Sequence, residues 1–173
     1  MRELRPVEIL LSADQIQKRV AEMAAELQRD FPDGLHLVAV LKGAFMFLAD
    51  LIRHTTGRVS LDFMALSRYA KGTTSSGEVR LLKDLDTTLD GKHVVIVEDI
   101  VDTGLTLTYL QDILRARNPQ SLRTACLLNK PSRRQVEVKV EYIGFTIEDR
   151  FVVGYGLDYA EQYRNLRDIA ILE

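Results

Sequence analysis

The sequence has a single cysteine and no long apolar run among its 173 residues. One cysteine excludes an internal disulfide framework, and Cys126 lies in the apolar run Ala-Cys-Leu-Leu, where a small buried side chain is expected. No stretch approaches the ~18 uninterrupted apolar residues of a membrane span. The first twelve residues mix charged with apolar side chains and contain no signal-peptide core. We therefore expect a cytoplasmic protein that does not bind a membrane.

The chain also lacks an excess of charge of one sign. Its 23 Lys and Arg against 25 Asp and Glu give a formal net charge of -2. That balance argues against a protein whose main work is to coat nucleic acid or an anionic membrane. The sequence shows no internal repeat, no low-complexity tail and no linker that would divide it. We predict one domain spanning residues 1–173.

What the sequence does contain is an alternation of strand and helix patterns. Ser12 and Gln15 resemble a capping box, which predicts that an amphipathic helix begins there and ends at the turn 31–34. Strands are predicted at 35–41, 58–66, 93–98 and 121–129, helices at 44–54 and 105–117, and shorter strands near 79–82, 140–145, 151–155 and 168–172. This alternation predicts an α/β fold with a largely parallel twisted sheet flanked by helices.

The most informative stretch is His-Val-Val-Ile-Val-Glu-Asp-Ile-Val-Asp-Thr-Gly-Leu-Thr, residues 93–106. An apolar strand ends by placing Glu98, Asp99 and Asp102 within five residues, although carboxylates repel one another and resist burial. Gly104 permits a tight approach at the start of the next helix, whose N–H groups and positive dipole end suit a phosphate. The stretch therefore favours a phosphorylated sugar, with its phosphate at the helix and its diol against the acids.

A plainer interpretation treats the three acids separately. Glu98 and Asp99 would then be solvated charges at a strand end, and Asp102 or Thr103 would cap the helix. For any one of the three acids taken alone, this interpretation is favoured. For the complete pattern, an apolar strand followed by Glu-Asp-x-x-Asp-Thr-Gly-x-Thr, it is improbable. The nucleoside-triphosphate P-loop and the dinucleotide fingerprint are both absent, because neither glycine spacing occurs here.

These residues resemble a known family. Residues 94–106 are similar to the phosphoribosyl-pyrophosphate-binding signature of the type I phosphoribosyltransferases. Residues 38–51, 75–81, 127–131 and 149–166 resemble, in the same order, segments of the bacterial hypoxanthine (hypoxanthine-guanine) phosphoribosyltransferases. The resemblance implies the fold of that family, with a small hood built from the N-terminal and C-terminal segments. It also implies transfer of ribose 5-phosphate from phosphoribosyl pyrophosphate to N9 of hypoxanthine or guanine, in purine salvage.

For the sugar phosphate, the resemblance assigns roles to the residues at the end of the apolar strand. Glu98 and Asp99 would contact the ribose diol, directly or through Mg²⁺. The 5-phosphate would be held by Asp102, Thr103, Gly104, Leu105 and Thr106. Asp102 matches an acid near N7 of the purine and is the candidate general base, with a helix cap as the competing interpretation.

For the pyrophosphate, the resemblance points to loops elsewhere in the chain. Lys42 and Gly43 resemble a loop that follows a cis non-proline peptide, and Arg164 matches a further contact. Residues 67–78 resemble a mobile loop that closes over the site and excludes water. The family has Ser-Tyr in this loop, whereas this chain has Arg68 and Tyr69. Which side chain replaces the serine is left open.

For the base, Lys130 resembles a lysine that donates to the 6-oxo group, which disfavours adenine. Phe151 would stack on the purine, and Val152 would offer backbone groups to its edge. Asp158 belongs to the same purine-binding segment and also matches a Mg²⁺ ligand. The implied metal ligands are therefore Glu98, Asp99 and Asp158.

Two other functions compete with this one. A regulatory protein with the same fold could bind RNA, but it would need a concentrated basic face, which the near-neutral charge opposes. The same chemistry on another base, such as xanthine, is a closer alternative that the sequence does not decide. The family further implies a homodimer or homotetramer.

Overall fold

The protein, described here from a computed structural model, is defined for residues 5–69 and 78–173. The elements in chain order are β1 (Pro6–Leu11), α1 (Ala13–Asp30), β2 (Leu35–Leu41), α2 (Phe45–Arg53), β3 (Val59–Tyr69), β4 (Glu78–Lys83), β5 (His93–Val101), α3 (Leu105–Arg115), β6 (Ser121–Asn129), β7 (Tyr142–Thr146), β8 (Val152–Val153) and β9 (Ile169–Leu172), with a short 3-10 turn at Pro131–Arg133 before β7. Strands and helices alternate as the sequence predicts.

A six-stranded sheet in the order β4-β3-β2-β5-β6-β7 forms the centre of the fold. All neighbouring pairs are parallel except β3 with β4, which is antiparallel. One hydrophobic cluster combines one face of the sheet with α1 and α2, and a second combines the opposite face with α3. The α/β fold with a largely parallel sheet between helices is confirmed.

The two clusters explain why the central strands are apolar almost throughout. In β2, Leu37 and Ala39 belong to the first cluster, whereas Val38 and Val40 belong to the second. Successive side chains point to opposite faces of a strand, and both faces here are covered by helices. A continuous apolar run is therefore what this position in the sheet requires.

A second, smaller sheet joins the two ends of the chain. Its strand order is β1-β9-β8, and both pairs are antiparallel. The side chain of Asp168, just before β9, accepts a hydrogen bond of 2.7 Å from the backbone N–H of Ala13 at the start of α1. The sequence did not predict β1, because Pro6 and Glu8 interrupt its apolar pattern and Val7 and Ile9 are exposed.

The capping box at the start of α1 is confirmed. Ser12 Oγ accepts from the backbone N–H of Gln15 at 3.2 Å, and Gln15 Oε1 accepts from the N–H of Ser12 at 2.9 Å. These two bonds satisfy backbone donors that have no partner within the helix, so the sequence fixes where α1 begins. Among the described residues, no helix has the length and apolarity needed to cross a membrane.

The loop predicted at 67–78 and the strand predicted at 93–98 have ends that differ from the prediction. The predicted loop at 67–78 is shorter at both ends, since Arg68 pairs with Val79 and Tyr69 with Glu78 in the antiparallel ladder. The ladder uses backbone groups, which explains why a polar composition does not prevent it. The rest of that loop, residues 70–77, lies outside the described residues. The strand expected to end at Glu98 continues to Val101, because β5 stays paired with β6.

Candidate active site

A crevice opens where β5 separates from β2. Their pairing runs from His36 with Val94 to Ala39 with Val97, whereas β5 remains paired with β6 as far as Val101. β2 and β5 lie on either side of the point where the chain reverses its direction of travel across the sheet. In open parallel sheets, ligands collect at the carboxyl ends of the strands at such a point. The acids of β5 lie at this edge.

A cavity of about 300 Å³ occupies this crevice. It is lined by Val40, Leu66, Ser67, Glu98, Asp99, Ile100, Val101, Asp102, Gly104, Thr106 and Leu107. The fold thus brings five of the residues predicted to bind the sugar phosphate to one cavity. Of the other two, Thr103 is buried beneath the loop, and Leu105 begins α3 with an exposed side chain.

Gly43 fits against the carboxylate of Asp99. A Cβ atom added at Gly43 would lie 1.8 Å from Asp99 Oδ2, so the carboxylate or the loop would have to shift. A Cβ at Gly156 would likewise lie 2.4 Å from the carbonyl oxygen of Gly43. The peptide bond between Leu41 and Lys42 is cis, as the family resemblance implies. The loop after β2 is therefore packed between β5 and the segment after β8.

The side chains of Glu98 and Asp99 have limited exposure to solvent. Glu98 is buried, and Asp99 is partly exposed towards the cavity that it lines. Burial raises the pKa of Asp99 to about 6, against the opposing effect of its hydrogen bonds; Arg164 lowers this pKa and Asp158 raises it. Asp99 Oδ1 accepts from the N–H of Ile100 at 2.7 Å. A cation or a hydroxyl donor at this point would relieve the cost of keeping both acids charged.

The turn into α3 has the form of an anion-binding loop. Gly104 has φ +86°, in the left-handed region, and is followed by the first turn of α3 with no side chain capping it. A Cβ at Gly104 would lie 3.0 Å from the carbonyl of Val136. Thr103 Oγ1 accepts from the N–H of Leu105 at 3.3 Å. The left-handed turn at Gly104 and the positive dipole end of α3 suit a bound anion.

Asp102 does not cap α3. Its Oδ1 accepts from Arg133 Nε at 3.2 Å, and its backbone carbonyl accepts from Arg134 NH1 at 3.3 Å. Arg133 NH1 also lies 3.7 Å from Asp149 Oδ2, and Lys130 Nζ lies 4.0 Å from Asp149 Oδ1. A chain of charged groups thus connects Asp102 to Lys130. The helix-cap interpretation of Asp102 is wrong for this structure.

Lys42 and Arg164, the predicted pyrophosphate contacts, meet at one acid. Glu161 Oε2 lies 3.0 Å from Lys42 Nζ, and Glu161 Oε1 lies 3.2 Å from Arg164 NH2. Arg164 NH2 is also 3.2 Å from Asp158 Oδ1, while its NH1 donates to the carbonyl of Gly156 at 2.7 Å. The pKa of Glu161 is lowered, chiefly by the hydrogen bond that Lys42 donates to it. The cations are gathered around a carboxylate.

On the opposite side of the crevice lie the residues predicted to bind a base. Lys130 is buried, and its backbone N–H donates to the carbonyl of Val101 at 3.0 Å, which ties it to the end of β5. Phe151 is 53% exposed, and the ring of Tyr159 lies edge-on to it at 5.8 Å between centroids. Val152 is buried in β8, paired with Ile171. An exposed aromatic ring suits a flat ligand, and a lysine can donate to its polar groups.

Arg68 and Tyr69 end β3, on the strand next to β2. Their side chains lie outside what the structure describes, so their predicted contact with pyrophosphate stays a prediction. In the described parts of the chain, no three acidic, histidine or cysteine side chains converge as a metal site. Glu98, Asp99 and Asp158 therefore do not form a complete metal-binding cage by themselves.

Comparison with known proteins is decisive at this point. Residues 6–160 match the phosphoribosyl transferase domain. The chain belongs to the phosphoribosyltransferase family. Over 166 residues it is 49% identical to the hypoxanthine-guanine phosphoribosyltransferase of Bacillus subtilis, covering 95% of this chain and 92% of the relative. It is 47% identical to the hypoxanthine phosphoribosyltransferase of Escherichia coli over 163 residues, covering 92% of each chain.

A solved phosphoribosyltransferase shows the same fold. The crystal structure of a hypoxanthine-guanine phosphoribosyltransferase from Bacillus anthracis superimposes with a TM-score of 0.92 at 45% identity. The match covers 99% of this chain and all of the other. The sequence resemblance to this family of transferases is therefore confirmed.

Sequence reasoning missed several residues of the phosphoribosyltransferase site. Arg133 and Arg134 were given no role, but Arg133 pairs with Asp102, and Arg134 donates to the side chain of Asn129. Glu161 was not identified at all. Only its position three residues before Arg164 and three after Asp158 could have suggested it.

Proposed function

We propose that this chain transfers ribose 5-phosphate from phosphoribosyl pyrophosphate to N9 of hypoxanthine or guanine, releasing pyrophosphate and forming IMP or GMP. The observation that carries the proposal is one crevice that joins the acids of β5, the Gly104 turn and the Lys42–Gly43 loop. Relatives named hypoxanthine or hypoxanthine-guanine phosphoribosyltransferase cover nearly the whole chain. These relatives favour purine salvage over an RNA-binding regulator.

The reaction passes through a transition state with positive charge at the anomeric carbon and negative charge on the leaving pyrophosphate. The Gly104 turn holds the 5-phosphate with backbone N–H groups of the first turn of α3, and with Asp102, Thr103, Leu105 and Thr106 around it. Glu98 and Asp99 orient the ribose diol, and their negative charge favours the cationic sugar over the neutral one. Because this interaction is stronger in the transition state than in the ground state, it lowers the activation barrier.

Asp102 is the proposed general base, which accepts the proton from the purine as N9 attacks the sugar. Arg133, held between Asp102 and Asp149, fixes the direction of the Asp102 carboxylate. A positioned base contributes typically 10²-fold or more to the rate. Arg133 is a positioning residue in this scheme, because it acts through Asp102.

Pyrophosphate is bound on the other side of the sugar. Lys42 and Arg164 supply positive charge, and Gly43 lets the loop approach the acids of β5. Arg68 and Tyr69 would join them from the end of β3. Closure of the segment between β3 and β4 would exclude water from the reacting centre.

Mg²⁺ is the proposed cofactor, and the donor set fits it. Glu98, Asp99 and Asp158 offer carboxylate oxygens, and Mg²⁺ is normally held by one or two such groups together with substrate phosphates and water. An incomplete set of protein ligands is consistent with that pattern. When bound, Mg²⁺ would neutralise negative charge that develops on the leaving diphosphate.

The base would lie between Lys130 and Phe151. Lys130 can donate to a 6-oxo group and cannot accept from the 6-amino group of adenine. The exposed ring of Phe151 stacks on the purine, while Val152 and the segment carrying Asp158 border its other edge. Hypoxanthine or guanine is therefore preferred to adenine.

We further propose that residues 1–173 act as one domain in the cytoplasm, as a homodimer or homotetramer. The hood strands share a hydrophobic cluster with the main sheet, through Leu11, Val152 and Ile169. Cys126 is buried, and burial raises the pKa of its thiol to about 12. Phe45, Val7 and Ile9 leave apolar surface exposed that an interface would cover. Light scattering during size-exclusion chromatography measures the assembly.

The function is tested by steady-state kinetics with phosphoribosyl pyrophosphate, Mg²⁺ and each candidate base. We expect the highest kcat/KM for hypoxanthine or guanine and little turnover of adenine or uracil. Preferential turnover of xanthine would move the assignment to a different base. Absence of transfer to every base, with calorimetry showing no binding of phosphoribosyl pyrophosphate, would reject it.

A further inference from the structure

A second cavity lies at the opposite edge of the sheet from the crevice. It measures about 840 Å³ and is lined by the starts of β2, β3 and β5 and by the turns that lead into them. Since these strands are parallel, their starts share the amino-terminal edge. At about 3.3 Å per residue, the length of β2 places this cavity roughly 20 Å from the carboxyl ends. It is separate from the proposed active site.

Two cations line this cavity without a partner. Within the described residues, the side chains of Arg58 and Lys92 make neither a hydrogen bond nor an ion pair, although Lys92 is only partly exposed. The cavity has one acid, Asp33, which is exposed at the turn before β2. The lining therefore carries an excess of positive charge.

A buried imidazole beside this cavity has a ring nitrogen without a hydrogen-bond partner. His36 is only 2% exposed, and its Nδ1 shares a 2.7 Å hydrogen bond with Ser60 Oγ. Its Nε2 is buried and has no hydrogen-bond partner. Burial, followed by the charge of Lys92, lowers the pKa of His36, while Asp62 acts in the opposite direction. When Ser60 donates to Nδ1, the neutral ring carries its proton on Nε2, as a donor that lacks an acceptor.

The cavity is also held in shape by backbone contacts. The N–H of Leu35 donates to the carbonyl of Arg58 at 3.1 Å, and the N–H of Gln120 donates to the carbonyl of Lys92 at 2.8 Å. Gly34 has φ +119°, and a Cβ there would lie 2.9 Å from the Arg58 carbonyl. These contacts keep Arg58 and Lys92 at the starts of β3 and β5, the two strands that flank β2, independently of any ligand.

We infer that this cavity is a second anion site, which binds a phosphate group through Lys92 and Arg58 with the Nε2–H of His36 beneath it. Phosphate suits the lining, because its oxygens accept several hydrogen bonds and pair with both cations. A volume of 840 Å³ also accommodates a phosphate carried on a small metabolite. The inference does not depend on the proposed transferase activity.

The chain has three histidines, so imidazole signals in a ¹⁵N-labelled sample provide a direct test. Long-range ¹H–¹⁵N spectra are followed while inorganic phosphate, or in a parallel sample ribose 5-phosphate, is added. His36 and His93 line the cavity, whereas His54 does not and serves as the internal control. We expect saturable shifts of the His36 and His93 signals and no saturable shift for His54.

Matched variants separate this site from the active site. The double variant Lys92→Gln/Arg58→Gln should lose the His36 shift and keep the kcat and KM of the wild type, with each single variant losing part of the affinity. Stronger binding of ribose 5-phosphate than of inorganic phosphate identifies a phosphorylated metabolite as the source, and equal binding identifies free phosphate. Signals of His36 that stay fixed, that move equally with sodium chloride at the same ionic strength, or that still shift in the double variant overturn the inference.

Discussion

Arg133 donates from Nε to Oδ1 of Asp102 across 3.2 Å, and the same guanidinium lies 3.7 Å from Asp149. A carboxylate held in this way has one preferred orientation, whereas a solvated carboxylate has none. The pair joins the loop after β5 to the turn after β6, and so joins the sugar-phosphate side of the crevice to the purine side.

The first prediction concerns this pair. Asp102→Asn should lower kcat about 100-fold or more with little change in the Kd of phosphoribosyl pyrophosphate, because the amide cannot accept the purine proton. Arg133→Gln should lower kcat by roughly tenfold, since the base remains but loses its orientation. Arg115→Gln is the matched control, as Arg115 pairs with Asp112 on α3. If Asp102→Asn lowers kcat and weakens the binding of phosphoribosyl pyrophosphate equally, Asp102 is part of the phosphate-binding loop and not the general base.

The second prediction concerns Glu161, which bridges Lys42 and Arg164 at 3.0 and 3.2 Å. Pyrophosphate must displace this carboxylate to reach both cations. Glu161→Gln should therefore bind pyrophosphate a few-fold more tightly, with the gain shrinking at high salt. Product inhibition by pyrophosphate measures the effect.

Glu22→Gln is the control for that experiment, because Glu22 forms a comparable exposed pair with Arg19 on α1. It should leave inhibition by pyrophosphate unchanged. Weaker binding of pyrophosphate in Glu161→Gln would show that the carboxylate supports the site and does not compete for it.

The third prediction uses two glycines. Gly43→Ala places a methyl group 1.8 Å from Asp99 Oδ2, so the carboxylate or the loop must move. Turnover should fall strongly, because both the ribose contact and the pyrophosphate loop are displaced. Gly57→Ala is the control, since its added Cβ meets nothing within 4 Å. Wild-type kinetics in Gly43→Ala would contradict the proposed use of the Lys42–Gly43 loop.

The fourth prediction concerns stability and Asp62, a buried acid on β3. Burial acts to raise its pKa, but hydrogen bonds from Phe63, Thr87 and Asp86 outweigh burial and lower the pKa from its ordinary value of 3.8. A lowered pKa in the folded state stabilises the protein above the unfolded value, and this contribution disappears as pH falls through the folded value. Asp62→Asn should cost about 3 kcal/mol of unfolding free energy at pH 7.

Urea denaturation at several pH values measures this difference. The gap between wild type and Asp62→Asn should stay constant from pH 7 to about pH 5 and narrow below pH 4, where the unfolded-state carboxyl group becomes protonated. Asp90→Asn is an exposed control that should change little. A gap independent of pH in the acidic range would mean that the charge of Asp62 is not what stabilises the fold.

The strands and helices were largely predictable because each depends on local patterns. β6 was predicted at its observed boundaries, and α1 begins where the capping box of Ser12 and Gln15 indicates. β1 was missed, since its pairing partner β9 lies at the other end of the chain. Its short mixture of polar and apolar residues has no periodic pattern, so only the pairing with β9 identifies it as a strand.

The sequence by itself determined the central strands, the helix starts and the acidic run that identified the family, because hydrophobic periodicity and a continuous motif are properties of neighbouring residues. Only the tertiary structure decided that Gly43 faces Asp99, that Glu161 joins Lys42 to Arg164, and that Arg133 holds Asp102. Those pairs are up to about 120 residues apart. Distances between such residues follow from strand order and loop geometry, which no local pattern specifies.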